Sequence, residues 1–134
     1  MRRAALALLL LAVPATAQQG GGLPDPGWVP RRTAELQALD KVTARVSVLR
    51  AQVGEAARFG TLTVAVQACH ARPPDETPDS AAFLEVTDSR AIRFPGGRAI
   101  PAGEAVFRGW MFAERPAVSM LEHPVYDIRL LGCR

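Results

Sequence analysis

Two groups of residues in this sequence carry side chains that could do chemistry. The first is His123-Pro124-Val125-Tyr126-Asp127, where an imidazole, a phenol and a carboxylate lie in one short stretch and could share acid/base work, with Glu85 as a further carboxylate. Two features argue against catalysis. In a strand Tyr126 and Asp127 point to opposite faces, and the sequence holds neither a Gly-x-Ser-x-Gly elbow nor a cysteine nucleophile of recognisable pattern. The expectation is that His123 orients the turn before Pro124 by hydrogen bonds, and no catalytic residue is assigned. The second group follows Cys69: His70, then Asp75, Glu76 and Asp79 in a loop that also holds Pro73, Pro74 and Pro78. A calcium loop sets its oxygens in a tight register punctuated by glycine. This loop has none, so a solvated acidic loop is expected, with no metal and no other cofactor.

Recognition by contact is better represented. Gly109-Trp110-Met111-Phe112 would place Trp110 and Phe112 on one face of a strand and Met111 on the other. Core on both faces is the expectation, with any partner meeting the loops around Arg72, Pro73, His123 and Tyr126. The alternative is that Trp110 and Phe112 themselves form the contact surface. Arginine supplies all the positive charge except Lys41, and acids are interspersed along the chain. A nucleic-acid binder needs a concentrated basic face, so that class is not expected.

Where the chain works is suggested by its first residues. Met1-Arg2-Arg3 is basic, Ala4 to Val13 is an apolar run, and Ala15-Thr16-Ala17 is a small-x-small site, the pattern of an export signal. The run is about ten residues, short of the roughly twenty that span a bilayer, so residues 1–17 read as a signal peptide and Gln18 as the first mature residue. No stable membrane insertion is expected after cleavage. Of 16 basic side chains, Arg2 and Arg3 fall in the leader, which leaves 14 against 13 acidic ones. The formal charge of +3 is therefore mostly leader. In an oxidising compartment two distant cysteines, Cys69 and Cys133, form one structural disulfide more readily than a redox pair, which is usually Cys-x-x-Cys. A zinc site has only His70 and His123 to add, and Cys69 and His70 are adjacent, hence on opposite strand faces.

The elements that must position these groups are mostly strands. Residues 18–38 read as a flexible Gly/Pro-rich linker ending in a short helical turn. Gly20-Gly21-Gly22 and three prolines carry the linker, Trp28 is expected to pack back on the domain, and Ala34, Leu36 and Leu39 stand at near-helical spacing. Val42, Ala44, Val46 and Val48 alternate with polar residues, as do Leu62, Val64 and Val66, and the two segments read as a hairpin with Gly54 and Gly60 bracketing the connection. Gln67 to Cys69 extends the second, with Cys69 on the face opposite Val66. Further strands are expected at Ala82 to Thr87, Ala105 to Phe112 and Val125 to Leu131, with a turn-rich excursion over Arg90 to Glu104. The class is all-β and mainly antiparallel, a small sandwich or partly open barrel of five or more strands with short helical turns and one disulfide.

Several ordered blocks match a known pattern: Leu39-Asp40-Lys41-Val42-Thr43-Ala44-Arg45, Phe59-Gly60-Thr61-Leu62, Ala68-Cys69-His70-Ala71-Arg72-Pro73-Pro74, Ala82-Phe83-Leu84-Glu85, Gly109-Trp110-Met111-Phe112, and Leu121-Glu122-His123-Pro124-Val125-Tyr126-Asp127 with Cys133. In these the chain resembles the DUF2155 family of small exported proteins of alphaproteobacterial type, and the resemblance covers a β domain at 39–134. The family implies no activity. From the residues, the expected function is that of a periplasmic or secreted non-enzymatic envelope component or binding module, with an envelope protein or polymer as partner. The alternatives are a hydrolase of an envelope polymer, using His123, Tyr126, Asp127 or Glu85, and a secreted enzyme inhibitor that inserts the loop after Cys69.

Overall fold

The structure, a computed structural model, describes residues 27–134 except residues 120 and 122. The leader and the glycine-rich part of the linker, within residues 1–26, lie outside the described residues. In chain order the strands are β1 (Val29–Pro30), β2 (Thr33–Asp40), β3 (Arg45–Gln52), β4 (Ala56–Phe59), β5 (Leu62–Ala71), β6 (Ser80–Asp88), β7 (Ile92–Arg93), β8 (Ala99–Ile100), β9 (Ala105–Phe112) and β10 (Tyr126–Cys133). The helical content among the described residues is one 3₁₀ turn at Pro116–Val118.

Sheet A has the order β1-β5-β6-β9, with β4 also on β5, and sheet B has the order β10-β2-β3. All pairs are antiparallel. The inner faces hold Leu36 and Ala38 of β2, Leu62, Val64 and Val66 of β5, Leu84 and Val86 of β6, and Ile128 and Leu130 of β10, all buried. Burial of such apolar surface is the main favourable term for a fold of this size. The chain passes from sheet B to sheet A at the corner between β3 and β4, where Gly54 takes a positive φ of 89°. On the opposite side the sheets end at β9 and β10, which do not pair with each other. The barrel is therefore open along that seam, and Pro116, Ala117, Ser119 and Leu121 of the segment between β9 and β10 lie along it.

Four expectations need correction. Thr33–Asp40 is a strand and not a helical turn: Ala34, Leu36 and Ala38 alternate inward, and both edges of β2 are paired, to β3 and to β10. A helix there would leave those neighbours without partners. β3 starts only at Arg45, because the Asp40 Oδ1 accepts the Val42 and Thr43 N–H groups at 2.9 and 3.1 Å and Ala44 turns through φ 56°. Val42 is thereby left exposed. The hairpin partner of β5 is β4, joined through Gly60, and β3 pairs with β2 instead. Gly60 has φ 57°, and a Cβ there would overlap the Tyr126 phenol. Finally, Cys69 faces the core on the same side as Val66. A bulge between Val66 and Ala68 sets Val66 opposite Leu84 and Ala68 opposite Phe83, so Gln67 is the extra residue and the alternation is reset.

That bulge, together with a second in β10 between Leu130 and Gly132, turns both cysteines to the core side. Cys69 on β5 and Cys133 on β10 are bonded, with their Cα atoms 5.7 Å apart. The bond ties sheet A to sheet B. The turn-rich excursion carries a small hairpin, with Ile92 opposite Ile100 and Arg93 opposite Ala99.

Candidate functional site

Met111 is the only member of the Trp110-Met111-Phe112 triplet to enter the core. Core on both faces is thus corrected: Trp110 and Phe112 lie on the outer face of sheet A, half-buried. Trp110 sits opposite Phe83 in register and meets it edge to face, ring centroids 5.4 Å apart, with the His70 ring tilted against it at 5.9 Å. The Arg115 guanidinium lies over Phe112 at 5.2 Å. In the next row Glu85 and Arg108 pair at 3.4 Å, so Glu85 serves a surface ion pair on the face of β6 opposite the one that carries Leu84 and Val86. Because Trp110 is only half-covered, Trp110→Ala is expected to cost about 2 kcal/mol, below the ~3–5 kcal/mol for a fully buried aromatic. Urea denaturation measures it, and a loss above about 4 kcal/mol would put the indole back in the core.

His123 is buried, with no side-chain surface exposed. Its Nδ1 accepts the backbone N–H groups of Val125 and Tyr126 at 3.1 and 3.2 Å. The proton therefore belongs on Nε2, which donates to Asp88 Oδ2 at 3.0 Å. Asp88 is buried too, and also accepts the Thr61 hydroxyl at 2.9 Å and the Arg90 N–H at 2.7 Å. Burial pushes the imidazole below the usual histidine range, and the Asp88 hydrogen bond and charge only partly oppose that. Tyr126 stacks on His123 at 5.3 Å and meets Phe59 edge on at 5.4 Å. Asp127 faces the other way and pairs with Lys41 at 3.0 Å, while the Lys41 ammonium also donates to the His123 carbonyl at 2.7 Å. Both ring nitrogens are occupied by structural partners. A hollow of about 700 Å³ beside Lys41, Phe94 and Pro124 reaches this residue, yet neither nitrogen is free to exchange a proton there. The carboxylate that completes the centre is Asp88, which the sequence reading missed. Its signal was phase: Leu84 and Val86 face inward, and the next residue of that face is Asp88.

Arg72 and Pro73 are used internally, Pro73 through its carbonyl, which accepts the Glu76 N–H at 3.1 Å. The Arg72 guanidinium lies 4.3 Å from the Trp28 ring centroid and pairs with Glu76 at 3.4 Å. Its backbone N–H donates to the Asp79 carbonyl at 2.9 Å. Asp79 in turn accepts the Ser80 and Glu114 N–H groups at 2.8 and 3.3 Å, which fixes the base of the proline-rich loop and leaves its tip exposed. Among the described residues no three His, Cys, Asp or Glu side chains converge on a point that could hold a metal ion.

A smaller and more apolar concavity than the hollow beside Lys41 lies at the open seam. A cavity of about 340 Å³ lies between β9 and β10, lined by Met111 and Phe112, by Ile128 and Leu130, by Leu39 and Gln37 of β2, and by Pro116, Ala117 and Leu121 of the connecting segment. Met111, Leu121, Ile128 and Leu130 are nearly fully buried, so its floor is apolar. Asp127, Arg129 and Ser119 add polar groups. Of the sequence candidates Phe112 and Asp127 reach it. The volume and the ratio of many apolar to few polar groups fit a small-ligand site, which typically holds ~300–1,000 Å³.

Fold and site together define an open, disulfide-linked two-sheet β protein with an apolar cleft at its seam and a histidine–aspartate pair committed to structure. Residues 34–133 match the family described as an uncharacterized protein conserved in bacteria (DUF2155), and the chain belongs to that family. It is also similar to the uncharacterized protein RP359 of Rickettsia prowazekii (strain Madrid E), 25% identical over 96 residues, which are 72% of this chain and 57% of RP359. The chain thus spans little more than half the length of that relative. No solved structure matches it.

Proposed function

We propose that this protein is an exported, non-catalytic binding module of the cell envelope. The observation that carries the reading is the apolar seam cleft between β9 and β10, a built concavity with no acid/base pair converging on it. Export is supported by the leader read at residues 1–17 and by the Cys69–Cys133 bond, since structural disulfides persist in oxidising compartments. No helix among the described residues is long and apolar enough to cross a membrane.

The test has two arms. Protein recovered from cells should begin at Gln18 and fractionate outside the cytoplasm, and a start at Met1 in the cytoplasmic fraction would overturn the export half. Immobilised protein beginning at Gln18 should retain an envelope component from a periplasmic extract. Retention should be lost when Ala117→Trp fills the cleft. A component that persists with the cleft filled would overturn the binding half.

A further inference from the structure

The charges around the seam cleft are unequal in a way that specifies a ligand. Asp127 lines the cleft, but its carboxylate is already paired with Lys41 at 3.0 Å. Arg129 also lines it, is exposed, and has no acidic partner among the described residues. Its cross-strand neighbour is Gln37, whose amide adds a hydrogen-bond donor to the same rim. One unneutralised guanidinium beside an amide donor matches a planar, singly charged carboxylate, which arginine binds in a forked geometry. Below that rim the wall is Met111, Ile128 and Leu130, with no charged group among them. Methionine is an adaptable liner for chains of varied shape. At about 340 Å³ the cavity stands near the lower end of the ~300–1,000 Å³ range for ligand sites, room for one chain and not for a two-chain lipid.

Resting on the binding reading above, we infer that the seam cleft takes a single-chain alkyl carboxylate, its tail against the apolar lining and its head on Arg129. The bond to Lys41 neutralises Asp127, and Arg115, which lies over Phe112, is paired with Asp79, so among the described residues Arg129 is the charged group of the lining left without an ionic partner.

Calorimetric titration of the protein beginning at Gln18 tests this with octanoate, decanoate and dodecanoate below their micelle concentrations. Each added methylene should tighten binding about fourfold until the cavity is full. Dodecanoate should bind more tightly than dodecyltrimethylammonium and than dodecyl phosphate. Arg129→Gln, at an exposed position, should remove the preference for carboxylate and keep the dependence on chain length. Ala117→Trp, also exposed, should abolish binding with an unchanged melting temperature. Equal affinity for the two head charges, tighter binding of the phosphate, or dodecanoate binding that survives Ala117→Trp would each overturn the inference. If no alkyl carboxylate binds while an envelope component is still captured in a manner lost with Ala117→Trp, the ligand assignment fails and the binding reading stands. If neither binds, both fail.

Discussion

Replacing Cys69 and Cys133 together by serine should lower stability by about 4 kcal/mol. The bond closes a loop of 64 residues in sequence separation, and on the chain-entropy account a loop of that length restricts the unfolded chain by about that amount. Domains of this size have only ~5–15 kcal/mol in total. The melting temperature should accordingly drop by more than about 15 °C, since each kcal/mol is worth roughly 4–8 °C in a domain near this length. Thermal unfolding with and without reductant reads the same quantity in the unaltered protein. A drop of only a few degrees would mean that packing between β5 and β10 holds the sheets together unaided.

The second large effect belongs to Asp88. Asp88→Ala removes the acceptor for the His123 Nε2–H, the Thr61 hydroxyl and the Arg90 N–H in one step. Breaking one side of a buried network leaves its donors unpaired, and about 3–5 kcal/mol is expected. Asp88→Asn, which keeps the shape and one acceptor oxygen, should cost clearly less. The same centre gives a dependence on pH. Burial lowers the folded-state pKa of His123 below its unfolded value of about 6.5. The unfolded chain therefore binds the proton more readily, so the stability linked to His123 is complete above about pH 6.5 and is lost as the pH falls toward the folded pKa. Protonation would also place a donor at Nδ1 against two backbone N–H groups. Urea midpoints for the protein and for His123→Gln between pH 8 and 5 separate this from the carboxylates, and a slope unchanged by the substitution would refute the assignment.

Much of the fold could be read locally. β9 has the predicted bounds, Ala105–Phe112, and the inward pair Leu84 and Val86 of β6 follows directly from alternation. The errors arose where local pattern was ambiguous and long-range pairing decided. Ala34, Leu36 and Leu39 fit a helical period, and Ala34, Leu36 and Ala38 fit a strand period. What selects the strand is that β3 and β10 both pair with it, and β10 lies at the far end of the sequence. The face of Cys69 depended on one extra residue, Gln67, and alternation counted along a single strand does not reveal a bulge against its neighbour. Among the site residues, the structural role of His123 was legible from the following proline and the isolation of the imidazole. The cleft was not, because it arises from the failure of β9 and β10 to meet, and nothing local in either strand reports that.

The pairing of β2 with β10 also sets an order of events in folding. β4, β5, β6 and β9 follow one another along the chain, so sheet A can pair strand by strand as successive segments become available. β2 and β3 can likewise close as a local hairpin. Sheet B stays one strand short until β10 has been made and returned across the molecule, which is the contact most costly in loop closure. Until then the inward faces of both sheets are uncovered, at the stage when a chain is most prone to associate wrongly. Docking of β10 ends that interval, covers the core and brings Cys133 to Cys69 in the same step.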